Sequence, residues 1–177
     1  MAATTGETVS DDEFVLPRVP VSAGALIFDR QRRLLILKPT YKSGWTIPGG
    51  IMEADGETPW QACQREVHEE CRLEVTHGRL VCMDFRRWRE GNPGGIRFLF
   101  DCGTLADTAL ARVVLQPEEI SEHRLAPLAE ALSLLRTPIR RRVQAVRKRD
   151  GSPRKQAIVY LENGHRVRAV RPVKRRR

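Results

Sequence analysis

Glu66, Glu69 and Glu70 fall on one side of a short helix that follows a glycine-rich loop at Gly49-Gly50. At about 100° per residue they occupy an arc of roughly 100°, centred near Ala62, while Trp60, Cys63, Val67 and Cys71 share the neighbouring apolar arc. Gln61, Gln64, Arg65 and His68 take the remainder, so one helix has an apolar, a wet and an acidic side. Like charges at these spacings cost a few tenths of a kcal/mol per pair, and three together raise one another's pKa unless a cation neutralises them. Mg²⁺ relieves that repulsion, because it takes oxygen ligands and keeps several waters. An ion held there beside a glycine loop can be set against a pyrophosphate. Taken alone, an E-x-x-E-E pattern reads as a solvated acidic face, and its surroundings decide between the two.

The helix start is written in local chemistry. Thr58 is a good N-cap, Pro59 falls at the first helical position, where its missing N–H costs nothing, and Gln61 sits where a capping-box partner reaches back.

Glu57, then seven residues, then Arg65-Glu66-Val67-His68-Glu69-Glu70 resembles the box of the Nudix hydrolases, usually written G-x5-E-x7-R-E-U-x-E-E-x-G-U with U aliphatic. Two positions depart from it. Six residues separate Gly50 from Glu57 instead of five, and Arg72 stands where the box has glycine. The extra residue lies in a loop containing Ala54-Asp55-Gly56, where an insertion is cheap. Arg72 is more awkward, since that glycine ends the helix in a left-handed conformation that a side chain adopts at a cost.

The resemblance implies an α/β fold, an α/β/α sandwich with a mixed sheet and a catalytic loop-helix-loop. It implies Glu66, Glu69 and Glu70 as metal ligands, with the Gly50 carbonyl as a further one, and an ion pair between Arg65 and Glu57 tying the loop to the helix. The cofactor implied is Mg²⁺, with Mn²⁺ as a substitute, and the reaction is attack by a metal-activated water on a nucleoside diphosphate linked to some moiety X. Glu66 is the candidate in the box for handling that water. A later loop often supplies another glutamate in the family, and Glu118 and Glu119 are placed for it, although an exposed acidic turn explains them equally. For substrate binding, Trp45, Tyr41 and Lys42 flank the loop and Arg86, Arg87 and Arg89 form a basic cluster beyond the helix. Core filler and a wet strand edge are the plain alternatives. The signatures of the ADP-ribose, dinucleoside polyphosphate and NADH groups do not appear.

A chain of 177 residues with 41% hydrophobic content buries one sound core. The expected organisation is a disordered tail over 1–17, a hydrolase domain over 18–149 and a basic hairpin and tail over 150–177. Val21–Phe28 and Arg33–Lys38 read as a hairpin about the polar turn 29–32, Leu73–Phe85 and Ile96–Thr104 as strands, and Leu128–Leu135 and Pro138–Arg149 as helices. Cys63, Cys71, Cys82 and Cys102 show no C-x-x-C spacing and read as reduced core thiols. No signal-peptide pattern and no membrane-length apolar run is present, so a cytoplasmic protein is expected.

Charge is lopsided. The whole chain carries +9, residues 140–177 carry +13, and the first 139 residues are therefore at −4. Within the basic region Asn163-Gly164, set between two β-branched runs, signals a hairpin. Such an extension attracts polyanions, which keeps nucleic acid open as a partner and hydrolysis at an RNA 5′ end open as an alternative activity. A Nudix-fold binding module that has lost catalysis is the rival from another class, opposed by the intact Glu57, Arg65, Glu66, Glu69 and Glu70. Oligomeric state stays open in the sequence, although homodimers are frequent among proteins similar to this one.

Overall fold

Both predicted hairpins form, and each turn shows why. The computed structural model describes residues 18–148 and 158–167, in which β1 (Val21–Phe28) and β2 (Leu34–Pro39) are joined by a turn with Arg32 at φ 61°. Asp29 is buried there and accepts from the Arg33 main-chain N–H at 2.7 Å and from its Nε at 2.6 Å, so burial leaves no charge unpaired. The second hairpin, β7 (Val159–Glu162) and β8 (His165–Arg166), turns on Asn163 and Gly164 at φ 53° and 79°, the pair of left-handed residues that a two-residue hairpin needs. Ala157 and residues 168–170, the N-terminal tail over 1–17 and Lys174–Arg177 lie outside the described residues.

One mixed, eight-stranded sheet carries the molecule, in the order β6-β2-β1-β5-β4-β7-β8, with β3 (Gly49–Ile51) also on β1. The remaining strands are β4 (Arg79–Arg86), β5 (Gly95–Thr104) and β6 (Ile120–Ala126). β1 pairs parallel with β5 and β4 parallel with β7, while the other pairings are antiparallel. The basic hairpin is therefore hydrogen-bonded to the sheet through β4.

Helices cover both faces. α1 (Pro59–Cys71) presents Ala62, Cys63, Val67 and Cys71, all fully buried, to Ala23, Ala25 and Ile27 of β1. The small residues of β1 let the helix come close to the strand that also holds the glycine loop. On the opposite face α3 (Leu128–Leu134) and α4 (Thr137–Val146) close a second core with Leu26, Ile36, Leu99 and Leu161. A short α2 (Asp107–Leu110), not expected from the sequence, precedes β6.

The expected strand over Leu73–Phe85 is shorter than its apolar pattern. Only Arg79–Arg86 pairs; Leu73 and Val75 point into the α1 core without a partner strand, and Gln64 Nε2 donates to the Val75 carbonyl at 2.8 Å. All four cysteines are free and buried, as expected, and burial pushes the Cys82 thiol up to about 12, so it stays protonated. Among the described residues no helix is long and apolar enough to cross a membrane.

α1 begins with the full capping box: Gln61 N donates to Thr58 Oγ1 at 3.3 Å and Thr58 N to Gln61 Oε1 at 2.8 Å. It ends at Arg72, which takes the left-handed conformation (φ 53°, ψ 28°) with its N–H on the His68 carbonyl. The awkward residue thus does the work of the glycine it replaces. Arg72→Gly is expected to remove about 1 kcal/mol of strain and to raise Tm by about 2–4 °C; an unchanged or lower midpoint in a thermal melt would show that the arginine side chain compensates.

Candidate active site

Two glycines bring the loop against the helix. A Cβ on Gly49 would collide with the Ala23 carbonyl and the Gly24 backbone, and one on Gly50 would collide with the Glu66 carboxylate, so the bare backbone is what lets Glu66 pack there. Gly49 N–H donates to Glu70 Oε2 at 2.7 Å.

Arg65 is the clasp of the assembly. Its Nε donates to Glu57 Oε1 at 2.8 Å, one terminal nitrogen reaches Glu66 Oε1 at 3.1 Å and Glu69 Oε2 at 2.8 Å, and the other reaches the Ile51 carbonyl at 3.0 Å. The guanidinium holds Glu57 below the usual carboxylate range. Glu57 Oε2 in turn accepts from Glu53 N at 2.9 Å, so the loop with its extra residue is pinned by the same ion pair.

A loop far along the chain completes the acidic end. Val114 N donates to the Cys71 carbonyl, Gln116 N to the Glu70 carbonyl and Thr40 Oγ1 to the Glu118 carbonyl at 2.7 Å. These bonds deliver Glu119, rather than Glu118, to the cavity lined by Glu66, Glu69 and Glu70. That cavity measures about 690 Å³. Burial is the main force pushing the Glu70 carboxyl up to about 8; the Gly49 N–H opposes the shift, and the charges of Glu66 and Glu119 add to it. Glu66 is raised as well, first by burial, with Arg65 pulling it down and Glu69 and Glu119 pushing it up.

Among the described residues no three acidic, thiol or imidazole groups are grouped ready to hold a metal ion. The hydrogen bonds explain it: Arg65 occupies Glu66 and Glu69, and Gly49 holds Glu70. The donor set nevertheless suits a hard divalent cation, because Glu66, Glu69, Glu70 and the Gly50 carbonyl offer oxygen ligands and because Glu66 and Glu70 stay raised even with Arg65 and Lys42 beside them.

The other predicted residues divide. Arg86, Tyr41 and Lys42 line the cavity. Trp45 does not: it is 7% exposed, hydrogen-bonded through its backbone to Leu134 and Arg136, and covered by Arg124 at 5.0 Å. The core alternative describes it, because α3 closes over the loop. Arg87 points away into the groove beneath the β7–β8 hairpin, pairing with Glu162 at 3.1 Å. Sequence reasoning missed Arg97, Arg136 and Arg142, which line the far end of the cavity. A lone arginine inside the apolar run Ile96-Arg97-Phe98-Leu99-Phe100 was the available signal for the first of them.

A family model for the NUDIX domain matches residues 18–146. The chain belongs to the NUDIX family. A MutT-like protein of Streptomyces ambofaciens is 29% identical over 112 residues, covering 60% of this chain and 70% of that protein. The crystal structure of a MutT protein from Methanosarcina mazei Go1 superposes with a TM-score of 0.58 at 25% identity, over 68% of this chain and 87% of that one. The dihydroneopterin triphosphate pyrophosphohydrolase of E. coli superposes with a TM-score of 0.55 at 22% identity, over 71% and 92% of the two chains, and shows the same fold. The α/β architecture expected from the box is thus that of the Nudix hydrolases, and this chain is a Nudix hydrolase.

Proposed function

We propose that this Nudix hydrolase cleaves the pyrophosphate linkage of a nucleoside di- or triphosphate derivative in a Mg²⁺-dependent reaction, with Mn²⁺ able to substitute. The observation that carries this is the convergence of Glu66, Glu69, Glu70 and Glu119 in one cavity against the Gly49-Gly50 backbone. Glu66, Glu69 and Glu70, with the Gly50 carbonyl, would hold the ion. When bound, it supplies charge neutralisation on the pyrophosphate oxygens and a water activated for attack on phosphorus.

The chain's own groups do the rest. Glu66, made a stronger base by burial, accepts the proton of the attacking water. Glu119, which shares the cavity, is the second acceptor. Arg65 and Glu57 keep the loop and helix in register, which holds the attacked phosphorus and the water in line. Lys42 pulls Glu70 towards its charged form from across the cavity and is placed to meet a phosphate oxygen.

A screen of nucleoside triphosphates and nucleoside diphosphate derivatives with Mg²⁺ and with Mn²⁺, reading the products to locate the phosphorus attacked, tests the assignment. Hydrolysis that disappears on chelation and returns with either metal is expected. Turnover undiminished after exhaustive chelation would contradict it.

A further inference from the structure

The cavity that holds the acidic cluster runs past Ser22 to a second end lined by Arg86, Arg97, Arg136 and Arg142. Strand register places it there. Ile51 lies opposite Ser22, Ser22 opposite Arg97, and Arg97 opposite Asp84. Arg97 therefore stands two strand spacings, about 10 Å, from the edge of the glycine loop. Arg86 follows Asp84 by two residues on β4 and shares its face, while α4 lays Arg142 over both, with Nε 2.8 Å from Asp84 Oδ2.

Positive charge at this end is under-compensated. Asp84 is buried and already engaged by Arg142 on one oxygen and by the Gly164 N–H, at 2.8 Å, on the other. Among the described residues Arg97 donates only to main-chain carbonyls, of Gly94 at 2.8 Å and of Pro20 and Ile96 at 3.3 Å. The Arg86 and Arg136 side chains have no hydrogen-bond or ion-pair partner among the described residues. Burial, reinforced by the neighbouring guanidinium groups, holds both Arg86 and Arg97 below the usual arginine range. Gathering like charges on a half-buried wall costs free energy. A planar fork of N–H donors matches the oxyanion edge of a phosphate, and a dianion answers more than one of these positive charges at once.

We propose that this end receives a second phosphate of the substrate, a phosphomonoester on the moiety beyond the scissile linkage. The substrate class is then a pyrophosphate-linked nucleotide that carries one phosphate more than the bond being cut requires, an inference that rests on the hydrolase reading of the acidic end.

Two ligand pairs that differ by a single phosphomonoester test it: ADP-ribose with its 2′-phosphate, and 3′-dephospho-coenzyme A with coenzyme A. Calorimetry in Ca²⁺ measures binding of each, and hydrolysis in Mg²⁺ is followed separately. In at least one pair the phosphorylated member should bind about tenfold more tightly or better, as expected for one charge-assisted contact. Arg86→Gln or Arg136→Gln should erase that preference, whereas Arg30→Gln, in the exposed β1–β2 turn, should keep it. Equal affinity within both pairs, or a preference that survives both arginine substitutions, overturns the proposal. A 5′-triphosphorylated ribo-oligonucleotide that binds more tightly than both phosphorylated small molecules reassigns the arginines to RNA and also overturns it. A preference together with no turnover of these ligands or of any nucleotide in the screen above upholds the phosphate site and removes the proposed pyrophosphate cleavage; hydrolysis without preference does the reverse.

Discussion

Glu69→Gln is expected to lower kcat by about two to four orders of magnitude, the range found when a positioned acid–base or charge-neutralising group is removed, with almost no change in stability. The Glu69 side chain is 45% exposed and its one partner among the described residues is Arg65 at 2.8 Å, four residues earlier on the same helix. Such a pair contributes about 0.3–0.5 kcal/mol, so Tm should move by about 1–2 °C. Glu66→Gln should lose activity to a similar extent by a different route, through the proton it accepts. Its burial against Gly50 means that the neutral amide relieves repulsion within the cluster rather than creating it. Steady-state rates in saturating Mg²⁺, with a thermal melt of each variant, check both. Wild-type turnover in Glu69→Gln would remove that residue from the metal set.

At alkaline pH and without metal, Glu70→Gln should be more stable than the parent, a result opposite to the usual cost of altering a buried residue. The sign follows from linkage. Glu70 in the folded protein titrates at about 8 against 4.5 for an unperturbed glutamate, so between these values the folded state binds the extra proton. Stability therefore falls as pH rises through that window and levels off above it. The neutral amide removes the fall. The variant should match its parent near pH 4 and exceed it near pH 9 by several kcal/mol, about 10 °C in Tm. A bound divalent cation should repair the same deficit in the parent, by about 2.7 kcal/mol at a hundredfold excess over Kd, and should do little for Glu70→Gln. Melting curves from pH 4 to 9, with and without Mg²⁺, distinguish this from a Glu70 that is merely structural, for which the amide would be neutral or destabilising throughout.

Features encoded within a few residues were legible in the chain. Thr58, Pro59 and Gln61 start α1 where their chemistry requires, the spacing from Glu57 to Glu70 places the carboxylates, and the turn residues Asn163 and Gly164 form their hairpin. Features set by distant partners were not. β6 carries Ile120 and Ala126 as its only buried residues, with three exposed and two half-buried positions between them, so its apolar alternation is faint and its identity comes from pairing with β2. Trp45 adjoins the glycine loop in sequence, yet α3, some ninety residues later in the chain, buries it. The arginine end of the cavity depends on Arg142 meeting Asp84 across 58 residues. The acidic end needed such contacts too, the Thr40 and Glu70 bonds that carry Glu119 inward, and the sequence alone placed Glu118 and Glu119 alike.

To be held by Glu66 and Glu69, a divalent cation must displace Arg65 from both. Crystals grown with Mn²⁺ and recorded at an absorption edge test this most directly. Anomalous density among the carboxylates of Glu66, Glu69 and Glu70, with the Arg65 guanidinium retained by Glu57 but released from Glu66, is the predicted result. A cluster without anomalous density at saturating Mn²⁺, still bridged by Arg65, would contradict it.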